Sequence, residues 1–169
     1  GLARSEDAWQ VLGQQVLMQS MAIPAELLLN AADPAVLVKY SAPLEKLATG
    51  QPLNQDELAL FDEASKIPYN LDAWDGYGVE RETILQTAAG LGKRLVSLAG
   101  DTHNAWSGVL DVMSAGAAEP GQVVGVEFAT PGVSSPGIES AFGPGLEPLF
   151  TSYTDGLSYA DLSRRGFLD

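Results

Sequence analysis

The sequence predicts an α/β fold, a sheet flanked by helices, and three observations carry that reading. A helical segment over about Val79 to Leu91 has Ile84, Ala88 and Leu91 on one stripe at i, i+4, i+7 spacing. A short apolar run, Arg94-Leu95-Val96-Ser97-Leu98-Ala99, follows it immediately and reads as a strand. Two more strand-like runs lie downstream, Ala105 to Val112 and Val123-Val124-Gly125-Val126-Glu127-Phe128-Ala129-Thr130.

In chain order, Trp9 to Met18 is a short apolar run and reads as a buried strand. Residues 20–50 are mixed, with Pro24, Pro34 and Pro43 acting as breakers. Asn54-Gln55-Asp56-Glu57 has the spacing of a capping box, so a helix should start there. Its face would hold Leu58, Phe61 and Ala64 or Ser65, and Pro68 should end it. Tyr69 to Gly78 is a loop by composition, rich in Asn, Asp and Gly but carrying Tyr69, Trp74 and Tyr77.

The helix from Val79 has Glu80 and Glu82 in its first turn and Lys93 and Arg94 after its end, as its dipole favours; Gly90 and Gly92 stop it. Arg94 to Ala99 is expected to be a central strand, buried on both faces. Ser114 to Gly121 reads as a small-residue turn, Gly132 to Gly145 as a surface loop broken by Pro136 and Pro144, and Leu146 to Leu162 as weakly helical. Arg164 to Asp169 reads as the start of another strand. No repeat or linker divides the chain, so residues 1–169 are expected to be a single piece.

Composition bounds the function. Apolar residues make up 46% of the 169, which suits a globular core. Twenty-two Asp and Glu against 9 Lys and Arg give a net charge of −13. That balance argues against a nucleic-acid-binding surface, because phosphate backbones require basic side chains. It serves solubility, or it gathers carboxylates near bound cations. The absence of cysteine excludes disulfides and thiolate metal sites within the chain. No apolar run is long enough for a membrane span. No signal peptide is visible before the polar sequence after Arg4, and both ends are expected to be cuts through a larger protein.

The residues most able to carry chemistry are Asp101 and His103, in Gly100-Asp101-Thr102-His103-Asn104 at the carboxyl end of the predicted strand. That edge of an open α/β sheet is where ligands bind. A carboxylate beside an imidazole is a common ligand pair for Zn, Mn or Fe. A catalytic metal needs about three protein ligands, however, and His103 is the only histidine. The plain alternative is a histidine in a polar turn, hydrogen-bonded by Asp101. Asn104 and Trp106 either shape the surroundings of such a site or, for Trp106, fill the core. Asp72 and Asp75 can approach a cation, or Asp75 can cap the next helix. Arg81 can reach a phosphate with its planar fork, or serve as an ion-paired helix residue.

Four segments occur in order: Trp9 to Met18, Asn70 to Tyr77, Leu98 to Trp106, and Glu127 to Gly137. Through them, and most specifically through Trp74-Asp75-Gly76-Tyr77 and Gly100-Asp101-x-His103-x-x-Trp106, the chain resembles the PhoD-like alkaline phosphatase and phosphodiesterase family of the metallophosphatase superfamily. The resemblance covers nearly the whole chain but only the carboxyl-terminal part of the family's catalytic domain. It implies the C-terminal half of a metallophosphatase-like layered sandwich, with a partner in the missing N-terminal half of the same domain. Metallophosphatases generally place a Gly-His-x-His segment late in the domain, and Asp101 stands where the first His would be.

The resemblance thus implies Asp101 and His103 as metal ligands in a site of two or more metal ions, iron and calcium by preference, with zinc or manganese also compatible. It implies hydrolysis of a phosphate ester, and a periplasmic or secreted location. No catalytic acid or base is assigned. The fragment is expected to be inactive alone and to expose apolar surface where the missing half would cover the sheet. The rival reading is a non-catalytic acidic domain that binds a cation or a partner.

Overall fold

The computed structural model describes residues 1–112 and 121–168. The small-residue turn expected over 114–121 lies almost entirely outside the described residues. The fold is α/β, built on a five-stranded mixed sheet. Its strands are β1 (Trp9–Gly13), β4 (Arg94–Ala99), β5 (Ala105–Val112), β6 (Gln122–Ala129) and β7 (Leu157–Asp161), in the order β1-β4-β6-β5-β7. β1, β4 and β6 are parallel, while β5 runs antiparallel to both β6 and β7. A two-stranded ribbon pairs β2 (Ala22–Pro24) with β3 (Lys66–Pro68).

The helices are α1 (Ala25–Leu29), α2 (Pro34–Ala48), α3 (Gln55–Ala59), α4 (Gly78–Gly90), α5 (Glu139–Phe142) and α6 (Glu147–Tyr153). Leu85 and Ala88 of α4 pack with Leu95, Leu110 and Val124. Leu149 and Phe150 of α6 pack with Ala99, Trp106 and Ala129. Leu95, Ala99, Trp106, Leu110 and Ala129 share one face of the sheet by register, so both helices cover that face. A bulge places Val124 there too, because Leu110 and Asp111 of β5 pair with Gly125 and Val123.

The other face is open. Trp9, Val11, Leu98 and Phe128 stand on it at paired positions, with exposures from 39% at Phe128 to 70% at Val11. This corrects the expectation that β4 is buried on both faces: Leu95, Ser97 and Ala99 are buried, but Leu98 is not. The expected exposed apolar surface is therefore present, as a whole sheet face.

Other differences have local causes. The Trp9–Met18 run leaves the sheet after Gly13, because its polar Gln14 and Gln15 take contacts beyond the strand. Of the prolines in residues 20–50, Pro24 ends β2 just before α1 and Pro34 begins α2, as breakers do, while Pro43 lies inside a helix. Asp33 accepts from the Ala35 amide and Pro34 occupies the first position of α2, where a missing N–H costs nothing. Pro43 lies inside α2, yet completes the buried i, i+4, i+7 stripe Val36, Tyr40, Pro43. The capping box of Asn54 and Glu57 forms as read, but α3 ends at Ala59. Asp62 then caps a short 3-10 turn that leads into β3.

The segment 146–162 is half helix and half strand. Gly156, at φ 76°, turns the chain after α6, and Leu157–Asp161 pairs with β5 as edge strand β7. No strand forms over 163–168 among the described residues.

Candidate metal centre

The register collects four loops at one edge of the sheet. β1, β4 and β6 end there, at Gly13, Leu98–Ala99 and Ala129, and β7 ends opposite the start of β5. The Gln14 amide donates to Leu98 O at 3.0 Å and the Gly100 amide to Gln15 O at 3.1 Å, so residues 14–15 run beside 99–101.

Asp101 and His103 sit in the connection from β4 to β5, both in the left-handed region, at φ 50° and 59°. Among the described residues no other non-glycine residue has positive φ. For side chains with a Cβ this conformation costs about 1–3 kcal/mol each and persists only where the surroundings enforce it. Those surroundings are visible. Thr102, between the two, is clamped by Trp106, whose Nε1 donates to its Oγ1 at 2.6 Å, and by Asn104, whose Nδ2 donates to its carbonyl at 2.9 Å.

His103 Nδ1 lies 3.1 Å from the carbonyl oxygen of Pro136. A carbonyl only accepts, so in the neutral ring Nδ1 carries the hydrogen and Nε2 keeps its lone pair. That Nε2 faces Asp101 Oδ1 at 3.9 Å. The other carboxylate oxygen, Oδ2, accepts from Gln15 Nε2 at 2.8 Å. Each group is thus oriented by one partner and presents its remaining donor atom toward the other, with both side chains about half exposed. The chemistry of this donor set, a hard oxygen and an oriented imidazole nitrogen, fits a divalent or trivalent transition-metal ion. No group of three potential ligands occurs among the described residues.

The remaining predicted residues divide into supports and neighbours. Asn104 is buried; its Oδ1 accepts from the Ile138 amide at 3.1 Å, which ties the site turn to the loop that carries Pro136. Gly137 allows that approach, since a Cβ there would overlap Asn104 Oδ1 and crowd the Leu162 carbonyl. Trp106 is buried and stacks edge-on with Phe150 at 5.0 Å, so it belongs to the core while holding Thr102.

Asp75 does not cap α4, whose first turn has no side-chain cap. Its carboxylate accepts from Ser20 Oγ at 2.7 Å and the Met21 amide at 2.8 Å, and burial raises its pKa against those bonds. Asp72 is exposed in the preceding turn, its amide donating to Asn70 Oδ1. Arg81 is buried: Nε donates to Met18 O at 2.7 Å and Nη1 to Glu82 at 2.8 Å.

Sequence reasoning missed two elements of the site. Gln15 orients Asp101 yet sits 86 positions away in a polar pair with no motif. Glu127 is the second. Its buried carboxylate accepts from the amides of Met18 and Gln19, from Ser97 Oγ and from Gln14 Nε2, and so straps residues 14–19 to the sheet. The available signal was a charged residue in the middle of an apolar strand, because such residues are almost never fully buried without partners.

The carboxyl edge of this α/β sheet thus presents a strained, oriented Asp-x-His pair. The family model for PhoD-like phosphatase matches residues 1–169, and the chain belongs to that family. The solved structure described as "Structure of PhoD" is similar in fold, with a TM-score of 0.54 at 18% identity. The match covers 98% of this chain and 24% of that one, so the chain spans about a quarter of that protein's length. No curated protein matches the chain.

Proposed function

We propose that this chain supplies one side of the active centre of a metal-dependent phosphoesterase, with Asp101 and His103 as metal ligands. The observation that carries the reading is the pair itself: Asp101 and His103, two positions apart, both in the left-handed region, with Nε2 of His103 facing Oδ1 of Asp101. Backbone strain of this kind clusters at functional sites. A metal centre would supply Lewis-acid polarisation of the phosphoryl group. The chain's own residues hold and aim. Gln15 fixes the Asp101 carboxylate, the Pro136 carbonyl fixes the His103 tautomer, and Trp106 and Asn104 hold Thr102 between them. A carboxylate in place of an imidazole makes the donor set harder, which favours iron and calcium over zinc.

Further ligands and the attacking group's proton acceptor come, in this reading, from sequence outside the 169 residues, and so does the cover of the open sheet face. The family membership and the apolar, uncovered positions Trp9, Val11, Leu98 and Phe128 support it. The same family membership supports an exported enzyme acting on phosphate esters. No helix among the described residues is long and apolar enough to cross a membrane.

The test is metal content and phosphoesterase turnover of the full-length protein, beside Asp101→Ala and His103→Ala. Each variant should lose turnover by at least about a thousandfold and lower metal occupancy, as expected when a Lewis acid worth several kcal/mol is lost. Variants that keep both activity and metal would overturn the assignment.

A further inference from the structure

Two of the chain's 9 basic residues, Arg164 and Arg165, follow β7 at the sheet edge that carries Asp101 and His103. Asp161, the last residue of β7, pairs with Ala105, two residues after His103. Paired residues stand about 5 Å apart and two residues of extended chain span at most about 7 Å, so the backbone of Asp161 lies within about 12 Å of that of His103. Asp161 is buried, and the turn after β7 folds around its carboxylate. Oδ1 accepts from the amides of Ser163 at 3.2 Å and Arg164 at 3.0 Å. Oδ2 accepts from Tyr159 Oη at 3.3 Å and from Arg164 Nε. One buried carboxylate thus holds both the backbone and the guanidinium of Arg164. The two Nη groups form no hydrogen bond among the described residues, and the side chain is 80% exposed. Arg165 is engaged instead: its Nη2 donates to Glu139 and its Nη1 to the carbonyls of Ser163 and Arg164. A guanidinium fixed at Nε presents its Nη edge as a planar fork that matches phosphate oxygens, with part of the cost of ordering it already met. In a chain of net charge −13, that fork gives an anion at this edge a cation to meet.

We propose that Arg164 is a specificity residue: it binds a second phosphate group on the alcohol portion of the ester, and so favours sugar or polyol bisphosphates over monophosphates. This rests on the reading of Asp101 and His103 as the end that holds the scissile phosphoryl group. The second group takes Nη1 and Nη2 of Arg164 together, and a sugar-sized alcohol bridges the interval. The remote group is held alike before and during the reaction, so the contact lowers KM and leaves kcat unchanged. The fork is exposed, so salt weakens the preference.

The experiment compares fructose 1,6-bisphosphate with fructose 6-phosphate on the full-length protein, by initial rates of phosphate release and by phosphorus NMR titration. In the parent, kcat/KM for the bisphosphate should exceed that for the monophosphate by about tenfold, the scale of a charge-assisted bidentate contact at an exposed site. Arg164→Gln keeps the backbone amides that Asp161 holds, so the turn is retained. It should abolish the excess through KM alone, and Arg164→Lys should restore part of it, since lysine keeps the charge but not the fork. Raising salt from about 50 mM to about 500 mM should shrink the parent's excess in the same direction. Equal kcat/KM for the two esters in the parent, or an excess that survives in Arg164→Gln, would overturn the subsite while hydrolysis itself upholds the phosphoesterase reading. A lower urea midpoint in Arg164→Gln with an unchanged ratio would likewise overturn it, and assign the side chain to a structural contact. Binding of the bisphosphate that depends on Arg164, with neither ester hydrolysed, would sustain the subsite and overturn the phosphoesterase reading instead.

Discussion

Removing the Glu127 carboxylate tests how the site is built, because its bonds hold the strap that delivers Gln15. The side chain is 1% exposed and accepts from the Met18 amide at 2.9 Å, the Gln19 amide at 2.7 Å and Ser97 Oγ at 2.8 Å. In Glu127→Ala the serine hydroxyl can rotate to another acceptor, but two buried backbone donors cannot. Each costs about 1–3 kcal/mol when left unsatisfied, so the variant should lose about 2–6 kcal/mol. That is a large part of the about 5–15 kcal/mol that holds a typical domain folded. Glu127→Gln keeps one acceptor oxygen for the two amides but loses the charge assistance, about 1 kcal/mol per bond, so it should lose about 2 kcal/mol. The assays are urea denaturation and hydrogen exchange at the Met18 and Gln19 amides. The Gln variant should speed exchange there by about 30-fold, which is what about 2 kcal/mol of local destabilisation amounts to. Unchanged exchange at those two amides in the Ala variant would refute the strap.

Two further outcomes follow from the same geometry. Gly137→Ala places a Cβ against Asn104 Oδ1 and the Leu162 carbonyl, so it should cost about 1–3 kcal/mol. By displacing Pro136 it should also weaken metal retention in the full-length protein, read by dialysis against a chelator; a stable variant that retains metal would show that the Pro136 contact is dispensable. Tyr40 ionises late: burial first, then the Glu26 carboxylate, push its phenol up to about 12. The neutral form is therefore favoured by the fold, its contribution is whole below pH 10, and it is lost as pH rises from 10 toward 12. Tyr40→Phe should shrink the fall in urea midpoint across that window, and a fall as steep as the parent's would refute the assignment.

What the sequence made legible was set by how local the cause is. The capping box at Asn54 and Glu57, the helix over 78–90 and strands β4, β5 and β6 rest on neighbours in sequence, and all formed within a residue or two of expectation. Where cause and effect lie far apart, the reading failed. Local rules exclude Pro43 from a helix interior, yet its ring completes the buried stripe with Val36 and Tyr40. β7 has a weak pattern of its own and becomes a strand because β5 offers it an edge. The two-sided burial expected of β4 was an inference from its apolar composition. Composition cannot distinguish a face covered by this chain's helices from one left bare in these 169 residues.

The site divides along the same line. Asp101 and His103 are visible as a motif because a carboxylate two positions from the only histidine is a recognisable pattern. The residues that orient them are chosen by position rather than by type. Gln15 is an ordinary glutamine, Pro136 contributes only a carbonyl, and Gly137 only the absence of a side chain. What ties these to one function is backbone strain. Two left-handed residues flank Thr102, and the bonds from Trp106 and Asn104 to Thr102 hold the turn in that form. Glycine at 101 and 103 would adopt this backbone without steric strain. Keeping a carboxylate and an imidazole there costs about 1–3 kcal/mol apiece, which makes sense where both side chains are needed at that spot. The strained backbone therefore argues for the metal-ligand role independently of the motif, since the motif concerns which residues are present and the strain concerns how they are held.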